Sequence, residues 1–302
     1  MGIRVNVLLA AVCAAVMMAG CGGGASSRAN GAHHLHGDIE QALAGHDARV
    51  GVAAICGTDT IVVNDCDDYP LMSVFKLHIA LALLERAEQG LISVDSVVAV
   101  PYGRLRPDTY SPLREIAAGR DTMLSVHELM RYSVGRSDNN ACDILIDLCG
   151  GVAAVENAVR RLAADEVTVL TETEESMHAD VLRSYNNHTS PLVLCSLMKS
   201  LYEGRLLDGE RTECVKALLG GSTTGRDKIA AGIPAGSFLG HKSGLSDRTP
   251  DGVLMASADV AAFSMPDGRP VYLAVMVKDS REPDEEINKV FGEVARIVYE
   301  GL

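Results

Sequence analysis

Ser73-Val74-Phe75-Lys76 sets a hydroxyl and an amine three residues apart at the head of an apolar run. Residues i and i+3 share one face of a helix, which predicts a serine oxygen within reach of a lysine nitrogen. A free serine hydroxyl is a weak nucleophile, and an adjacent base that takes its proton activates it. Three further clusters carry groups of related use. Ser137-Asp138-Asn139 offers a second hydroxyl and an amide, and Lys242-Ser243-Gly244 a cation beside a hydroxyl. Thr173-Glu174-Glu175-Ser176-Met177-His178 holds carboxylates and an imidazole, the usual groups of proton transfer. Each pattern alone is weak; their value lies in occurring together in one chain.

The elements that must position these groups follow from periodicity. Val74, Phe75, Leu77, Ile79, Leu81, Leu83 and Leu84, stopped by Gly90, predict a helix with Ser73 at its N-terminus. Free backbone N–H groups there favour developing negative charge. Ser137-Asp138-Asn139 falls in a short turn between helices, and Lys242-Ser243-Gly244 follows a strand predicted over 237–241. The Glu174 cluster lies in a polar stretch, 171–190, with little periodicity. Further strands are predicted over 50–56, 60–63, 253–265 and 271–277, with turn residues between them. A short amphipathic helix starts at Asp38, and from Ser73 to about residue 220 the pattern is helical. Ser125-Val126-His127-Glu128 matches a capping box, and a helix is predicted over 152–164. Ile287, Val290, Phe291, Val294, Ile297 and Val298 share one face of a C-terminal helix. Strands at both ends and helices between them predict an α+β (mixed α/β) fold. Its antiparallel sheet is built from both chain ends (37–70 and 221–302) and flanked by helices, with an inserted all-helical lobe (71–220). The seam between the lobes is the expected ligand site.

The chain has 302 residues, 47% hydrophobic and 22% charged, an ordinary globular profile. A net charge of −13 gives no electrostatic basis for binding nucleic acid or an anionic membrane surface. An anionic small ligand would need a local cation. Residues 1–20 read as a signal peptide, with Arg4 ahead of an apolar stretch too short to span a membrane. Met18-Ala19-Gly20-Cys21 resembles a bacterial lipoprotein signal, with Cys21 as the lipid anchor and 21–36 as a flexible linker. The expectation is an exported, periplasmic or cell-envelope protein, held to a membrane only through that lipid. Cys56, Cys66, Cys142, Cys149, Cys195 and Cys214 form no CxxC pair. Cys142 and Cys149 share a helical face but lie roughly 10.5 Å apart along it, too far for a disulfide. All six are read as small buried hydrophobes. The His33-His34-Leu35-His36 tract belongs to the tether or its edge, and neither metal nor cofactor is expected.

Ser-x-x-Lys, Ser-Asp-Asn and Lys-Thr-Gly, the last present here as Lys242-Ser243-Gly244, form the signature of class A β-lactamases and penicillin-binding proteins. From about Asp38 to Leu302 the chain resembles a class A serine β-lactamase, its motifs in family order and near family spacing. Asp143, Met177-His178-Ala179-Asp180, Gly240-His241-Lys242 and the segment from Val275 to Asp279 are similar to the cephalosporinase-type subgroup. The resemblance implies a monomer that opens the β-lactam ring of cephalosporins and penicillins through a serine acyl-enzyme, conferring resistance. It implies Ser73 as nucleophile, with Lys76, or Glu174 acting through a water, as the base of acylation. Ser137 would relay a proton to the departing nitrogen, and the backbone N–H groups of Ser73 and Leu245 would hold the oxyanion. Asn139 would bind the substrate amide and help position Lys76. Lys242, Ser243 and Ser246, around Gly244, would take the substrate carboxylate. Glu174 would activate the deacylating water, with Glu172 and Glu175 as competing candidates. Tyr110 is either the aromatic gatepost of the site or an exposed packing tyrosine.

Departures from the family pattern bear on rate and spectrum. Glu172 replaces an arginine, implying that the loop's common salt bridge is absent. His178 stands for the asparagine that helps hold the water, Ser243 for threonine, and Leu245 for a smaller residue. Lys228 either supports carboxylate binding in place of an arginine or is a solvated surface lysine. The serine–lysine pair is also shared by D-alanyl-D-alanine peptidases and by penicillin-binding sensors that acylate once and stall; a deacylating glutamate distinguishes a hydrolase from both.

Overall fold

The computed structural model describes residues 24–302, with side chains from residue 34 onward. Helix α1 (Gly24–Leu43) leads into the hairpin β1 (Arg49–Cys56) and β2 (Asp59–Val63), then the short β3 (Tyr69–Pro70). The helical lobe follows as α2 (Phe75–Glu88), β4 (Val97–Val100), α3 (Pro112–Ala117), β5 (Thr122–Ser125), α4 (Val126–Met130), α5 (Asn139–Cys149), α6 (Val152–Ala163) and α7 (Glu174–Ala179). After β6 (His188–Thr189), α8 (Pro191–Tyr202) and α9 (Gly209–Gly220), the chain returns through β7 (Phe238–Leu245), β8 (Leu254–Ser264) and β9 (Pro270–Ser280). Helix α10 (Asp284–Gly301) ends it.

Both chain ends meet in one five-stranded antiparallel sheet, ordered β2-β1-β9-β8-β7. β1 from the N-terminal hairpin pairs with β9, Val52 opposite Val275. The central strands are buried on both faces, which explains why β8 reads as a nearly unbroken apolar run. One face packs Val52, Phe263 and Val275 against α1 and α10 through Ile39, Phe291 and Val294. The other packs Ala258, Val260 and Met276 against the helical lobe through Leu77, Leu81 and Met198. Each of these buried side chains larger than alanine contributes about 1.5–3 kcal/mol, so the site lies between two well-anchored layers.

Four expectations change. The middle lobe is not all-helical: β4 and β5 pair, Ala99 opposite Met123, in strands too short to show an alternating pattern. Helix α1 extends through residues 24–36, expected as linker, because Leu35 and Ile39 bury against α10 and hold the helix in place. Lys242-Ser243-Gly244 does not follow a strand but lies inside β7. Of the cysteines, Cys56, Cys142, Cys149 and Cys195 are buried, whereas Cys66 is exposed and Cys214 half-buried; all six are free thiols. Cys21 and the expected signal peptide lie outside the described residues.

Candidate active site

Ser73 does not start the α-helix. It sits in a single 3₁₀ turn, Met72–Val74, that runs directly into α2. Met72 is left-handed (φ 45°), a strained state for a residue with a side chain. Strand β7 braces this turn: a Cβ added to Gly244 would lie 2.8 Å from the Leu71 carbonyl oxygen and 2.9 Å from the Ser73 nitrogen. Glycine there lets the β7 backbone reach the nucleophile's own peptide group.

Lys76, on the first turn of α2, is fully buried. Its Nζ lies 2.8 Å from Ser73 Oγ, 2.7 Å from the Ser137 carbonyl oxygen, 2.6 Å from Asn139 Oδ1 and 2.9 Å from Glu174 Oε1. An ammonium has only three N–H donors for these four acceptors, so not all four contacts can be hydrogen bonds from Lys76 at once. Ser137 is itself left-handed (φ 59°). It follows a π-turn, Arg131–Gly135, and precedes α5, whose N-cap is Asp138. The Asp138 carboxylate accepts from Ala141 N (2.8 Å), Leu113 N (2.7 Å) and Ser111 Oγ (2.9 Å), tying this turn to α3. Asn139 Nδ2 donates to Thr109 Oγ1 at 2.8 Å.

Glu174 opens α7, capped by a reciprocal Thr173–Ser176 box. Its Oε1 is 3.5 Å from Ser73 Oγ. The backbone N–H groups of Glu174 and Glu175 both donate to Asp143, at 2.9 Å each. Burial, reinforced by the Glu174 charge, pushes the Asp143 carboxyl up to about 7. The competing acids are elsewhere. Glu175 is exposed. Glu172 turns from the nucleophile and accepts from Ser176 Oγ (2.6 Å), Asn186 Nδ2 (2.9 Å) and Arg183 Nη1 (3.2 Å). The loop thus has an ion pair, Glu172–Arg183, where the absence of the family's salt bridge was expected. Asn187 closes the same loop, accepting from Thr171 N and Glu172 N and donating to the Glu172 carbonyl.

Ser73, Asn139 and Glu174 open onto a cavity of about 310 Å³ shared with Tyr110, His178, Leu245 and Met255. His178, four residues after Glu174, brings Nε2 to 3.2 Å from Asp108 Oδ2 across the cavity mouth. Tyr110 and Leu245 are 55% and 49% exposed, giving the rim an apolar character. A second hollow beside Ser73 is lined by Ser137, Lys228, Ser243 and Gly244. Lys242 is buried behind it, its Nζ 3.0 Å from Ser137 Oγ and 2.7 Å from the Ser243 carbonyl oxygen. Burial and the neighbouring Lys76 charge lower Lys242 to about 7. Lys228 is no surface lysine: it is buried, with Nζ at 2.7 Å from the Gly244 carbonyl oxygen and 2.8 Å from Ser257 Oγ. Burial lowers it to about 8. Ser246, expected at the carboxylate, accepts from Ala256 N at 2.9 Å and fastens β7 to β8, which leaves its own O–H to donate.

The model of the "Beta-lactamase enzyme family" matches residues 34–302 of this chain. The chain belongs to the class A β-lactamases. It is 36% identical over 277 residues to a β-lactamase of Bacteroides uniformis, covering 91% of this chain and 93% of that one. It is 32% identical to the extended-spectrum β-lactamase PER-1 of Pseudomonas aeruginosa, covering 88% and 86%. Among solved structures, a class A β-lactamase from Bacteroides cellulosilyticus superposes with a TM-score of 0.85 at 33% identity, covering 90% of this chain and 98% of that one. The TLA-1 extended-spectrum β-lactamase superposes with a TM-score of 0.86 at 32% identity, covering 90% and 99%.

Sequence reasoning about this β-lactamase missed the residues that hold the named ones in place. Asp138 was legible as an N-cap, standing just ahead of the α5 apolar stretch. Asp143 stood out only through the subgroup resemblance, and Asn187 and Asp108 gave no signal, since each acts on a partner distant in sequence.

Proposed function

We propose that this serine β-lactamase hydrolyses the β-lactam ring of cephalosporins and penicillins through an ester on Ser73, with the following assignment of roles. Ser73 Oγ attacks the lactam carbonyl carbon and gives up its proton to Lys76 or, through a water, to Glu174. Lys76 Nζ contacts the hydroxyl and the Glu174 carboxylate at 2.8 and 2.9 Å, which supports the direct route, and Glu174 Oε1 stands 3.5 Å from the hydroxyl. Negative charge developing on the carbonyl oxygen falls to the N–H groups of Ser73 and Leu245. Loss of one such donor costs about 2.7–4 kcal/mol in comparable sites. As the C–N bond breaks, Ser137 Oγ, hydrogen-bonded to Lys242, gives its proton to the nitrogen and is reprotonated by the one taken from Ser73, which frees the base for the next step. Glu174 then takes a proton from water, which attacks the ester carbonyl, and Ser73 leaves with its proton restored.

The observation that carries this reading is Glu174 within 3.5 Å of the nucleophile oxygen, on a loop anchored by Asp143, Glu172 and Asn187. A second base at that point gives the acyl-enzyme a way out, which a D-alanyl-D-alanine peptidase or an acylate-and-stall sensor of the same ancestry lacks. The apolar rim of Tyr110 and Leu245 and the open hollow beside Lys228 support bulky cephalosporin side chains as substrates. Turnover of a chromogenic cephalosporin by the purified chain, lost in Ser73→Ala, tests the reaction; equal rates in both would reject it. We further propose export as a monomer anchored through a lipid on Cys21. Labelling with a radioactive fatty acid, abolished by Cys21→Ser, is the expected result.

A further inference from the structure

Behind the carboxylate side of the site, a charged pair lies wholly out of solvent. His241 and Asp259 are both 0% exposed, and His241 Nδ1 lies 3.0 and 3.2 Å from the two carboxylate oxygens. Asp259 stands opposite Ser243 in the β7–β8 pairing, and His241 is diagonal to it on the same face. A tight loop lies over this face: a Cβ on Gly225 (φ 72°) would come within 2.3 Å of Ser243 Oγ. That loop delivers Lys228, and the next N–H, of Ile229, lies 3.3 Å from Asp259 Oδ2. The mechanism above uses none of His241, Asp259 or Ile229.

His241 Nε2 is buried without a hydrogen-bond partner among the described residues. An N–H at that position would be an unsatisfied buried donor, so the ring carries its proton on Nδ1, toward Asp259. Such a neutral ring orients the carboxylate without cancelling its charge. The charge is therefore left facing the two lysines. Lys242 is faced by Lys76 from α2, Glu174 from α7, Lys228 from the covering loop and Asp259 from β8. Lys228 is faced by Asp259, by its neighbour Asp227 and by Asp284 of α10. Asp227 and Asp284 are exposed, bound to Asn288 and Arg248, and screened by solvent. Glu174 is committed to Lys76. Asp259 is a wholly buried acid: it meets the Lys228 loop on its own sheet face, at the Ile229 N–H, and acts through the sheet on Lys242, which points to the opposite face.

We propose that Asp259 is a positioning residue, the internal counter-charge that keeps Lys228 and Lys242 in their ammonium form for the substrate carboxylate, with His241 fixing its orientation. This rests on the reading of those lysines as the carboxylate wall. Desolvation already brings both toward neutral pH. Removing the acid lowers them further, so the ammonium forms are lost at a lower pH. The test compares kcat/KM across pH for a cephalosporin free acid and for its methyl ester, in the parent chain, Asp259→Asn and His241→Asn. In the parent, the acid should show an alkaline limb that the ester lacks. In Asp259→Asn that limb should move down by about one pH unit, a tenfold loss on the limb, with little change on its acid side. In His241→Asn, which keeps a donor to the carboxylate, the limb should stay. A parent that treats acid and ester alike would reject the carboxylate wall itself. A parent that distinguishes them, with a limb unmoved in Asp259→Asn or moved instead in His241→Asn, would reject the role of Asp259. Should Asp259→Asn not fold, carboxyl-labelled aspartate in the parent, followed by ¹³C NMR, decides the matter: an ionised Asp259 at neutral pH is required, and a protonated one overturns the proposal.

Discussion

Lys76 and Lys242 are both removed from solvent, yet their surroundings differ in kind. Lys76, on the helical side, meets four acceptors, one of them a carboxylate at 2.9 Å. Lys242, on the sheet side, has a hydroxyl and a peptide carbonyl, with no carboxylate in contact among the described residues, and burial has lowered it to about 7. A buried ion whose counter-charge lies out of contact is costly. The first lysine is saturated and suited to passing a proton among fixed neighbours. The second is under-compensated and gains most when an anion arrives, so a chain of net charge −13 can attract an anionic substrate at one point.

The comparison is tested most severely at Lys76. Lys76→Met should cut kcat/KM on the order of 10⁴-fold for acid and ester substrates alike, measured by steady-state hydrolysis; selective loss for the acid would reverse the two lysines' roles. Next is Glu174→Ala, where water activation should slow by about 10²- to 10⁴-fold. Mass spectrometry should then find the substrate retained on Ser73, and rapid release of that ester would remove Glu174 from the scheme. Lys242→Met should cost about 1.5–3 kcal/mol of transition-state binding, read as a ten- to hundredfold fall in kcat/KM for the free acid and far less for its methyl ester.

Smaller effects probe the loop that carries Glu174. Asp143 is raised from 3.8 to about 7, so between those values the folded chain holds a proton that the unfolded chain releases. Its contribution is whole below about pH 4 and is lost as pH rises through about 7. In Asp143→Asn that loss disappears. The difference in Tm from the parent should therefore move in the variant's favour between about pH 5 and about pH 8; a constant difference would show that Asp143 does not titrate there. Smallest is Arg183→Met. Arg183 is half-exposed, and breaking its pair with Glu172 should lower stability by no more than about 1 kcal/mol in urea unfolding.

How far these features could be read beforehand depended on how locally each is encoded. The sheet from both chain ends was legible because β8 and β9 are long, apolar and bounded by turns. The capping box at Ser125 was legible because both partners lie within four residues, and it forms as expected. α7 was not: its six residues are held by Asp143 and by Thr173–Ser176 rather than by an apolar stripe. The β4–β5 pair escaped for a similar reason, each strand being only four residues long. Lys228 could be placed in the sequence but not in depth, because its burial depends on Gly244, Ser257 and Ala258 across two strands. Asp259 reads in sequence, with Ser257, as one of two polar interruptions inside an apolar strand, and only the fold brings His241 to it.

Gly244 carries a consequence for how this enzyme tolerates change. The two amides assigned to the oxyanion come from different lobes, Ser73 from the turn before α2 and Leu245 from β7, and the strands meet where a methyl group would already be too close. The width of that opening is therefore set by an empty space rather than by a side chain. A substitution far from the cleft that moved one lobe by a few tenths of an ångström would widen it and slow acylation. Every residue named in the chemistry would still be present and correctly paired, and the fault would be found only by measuring the gap.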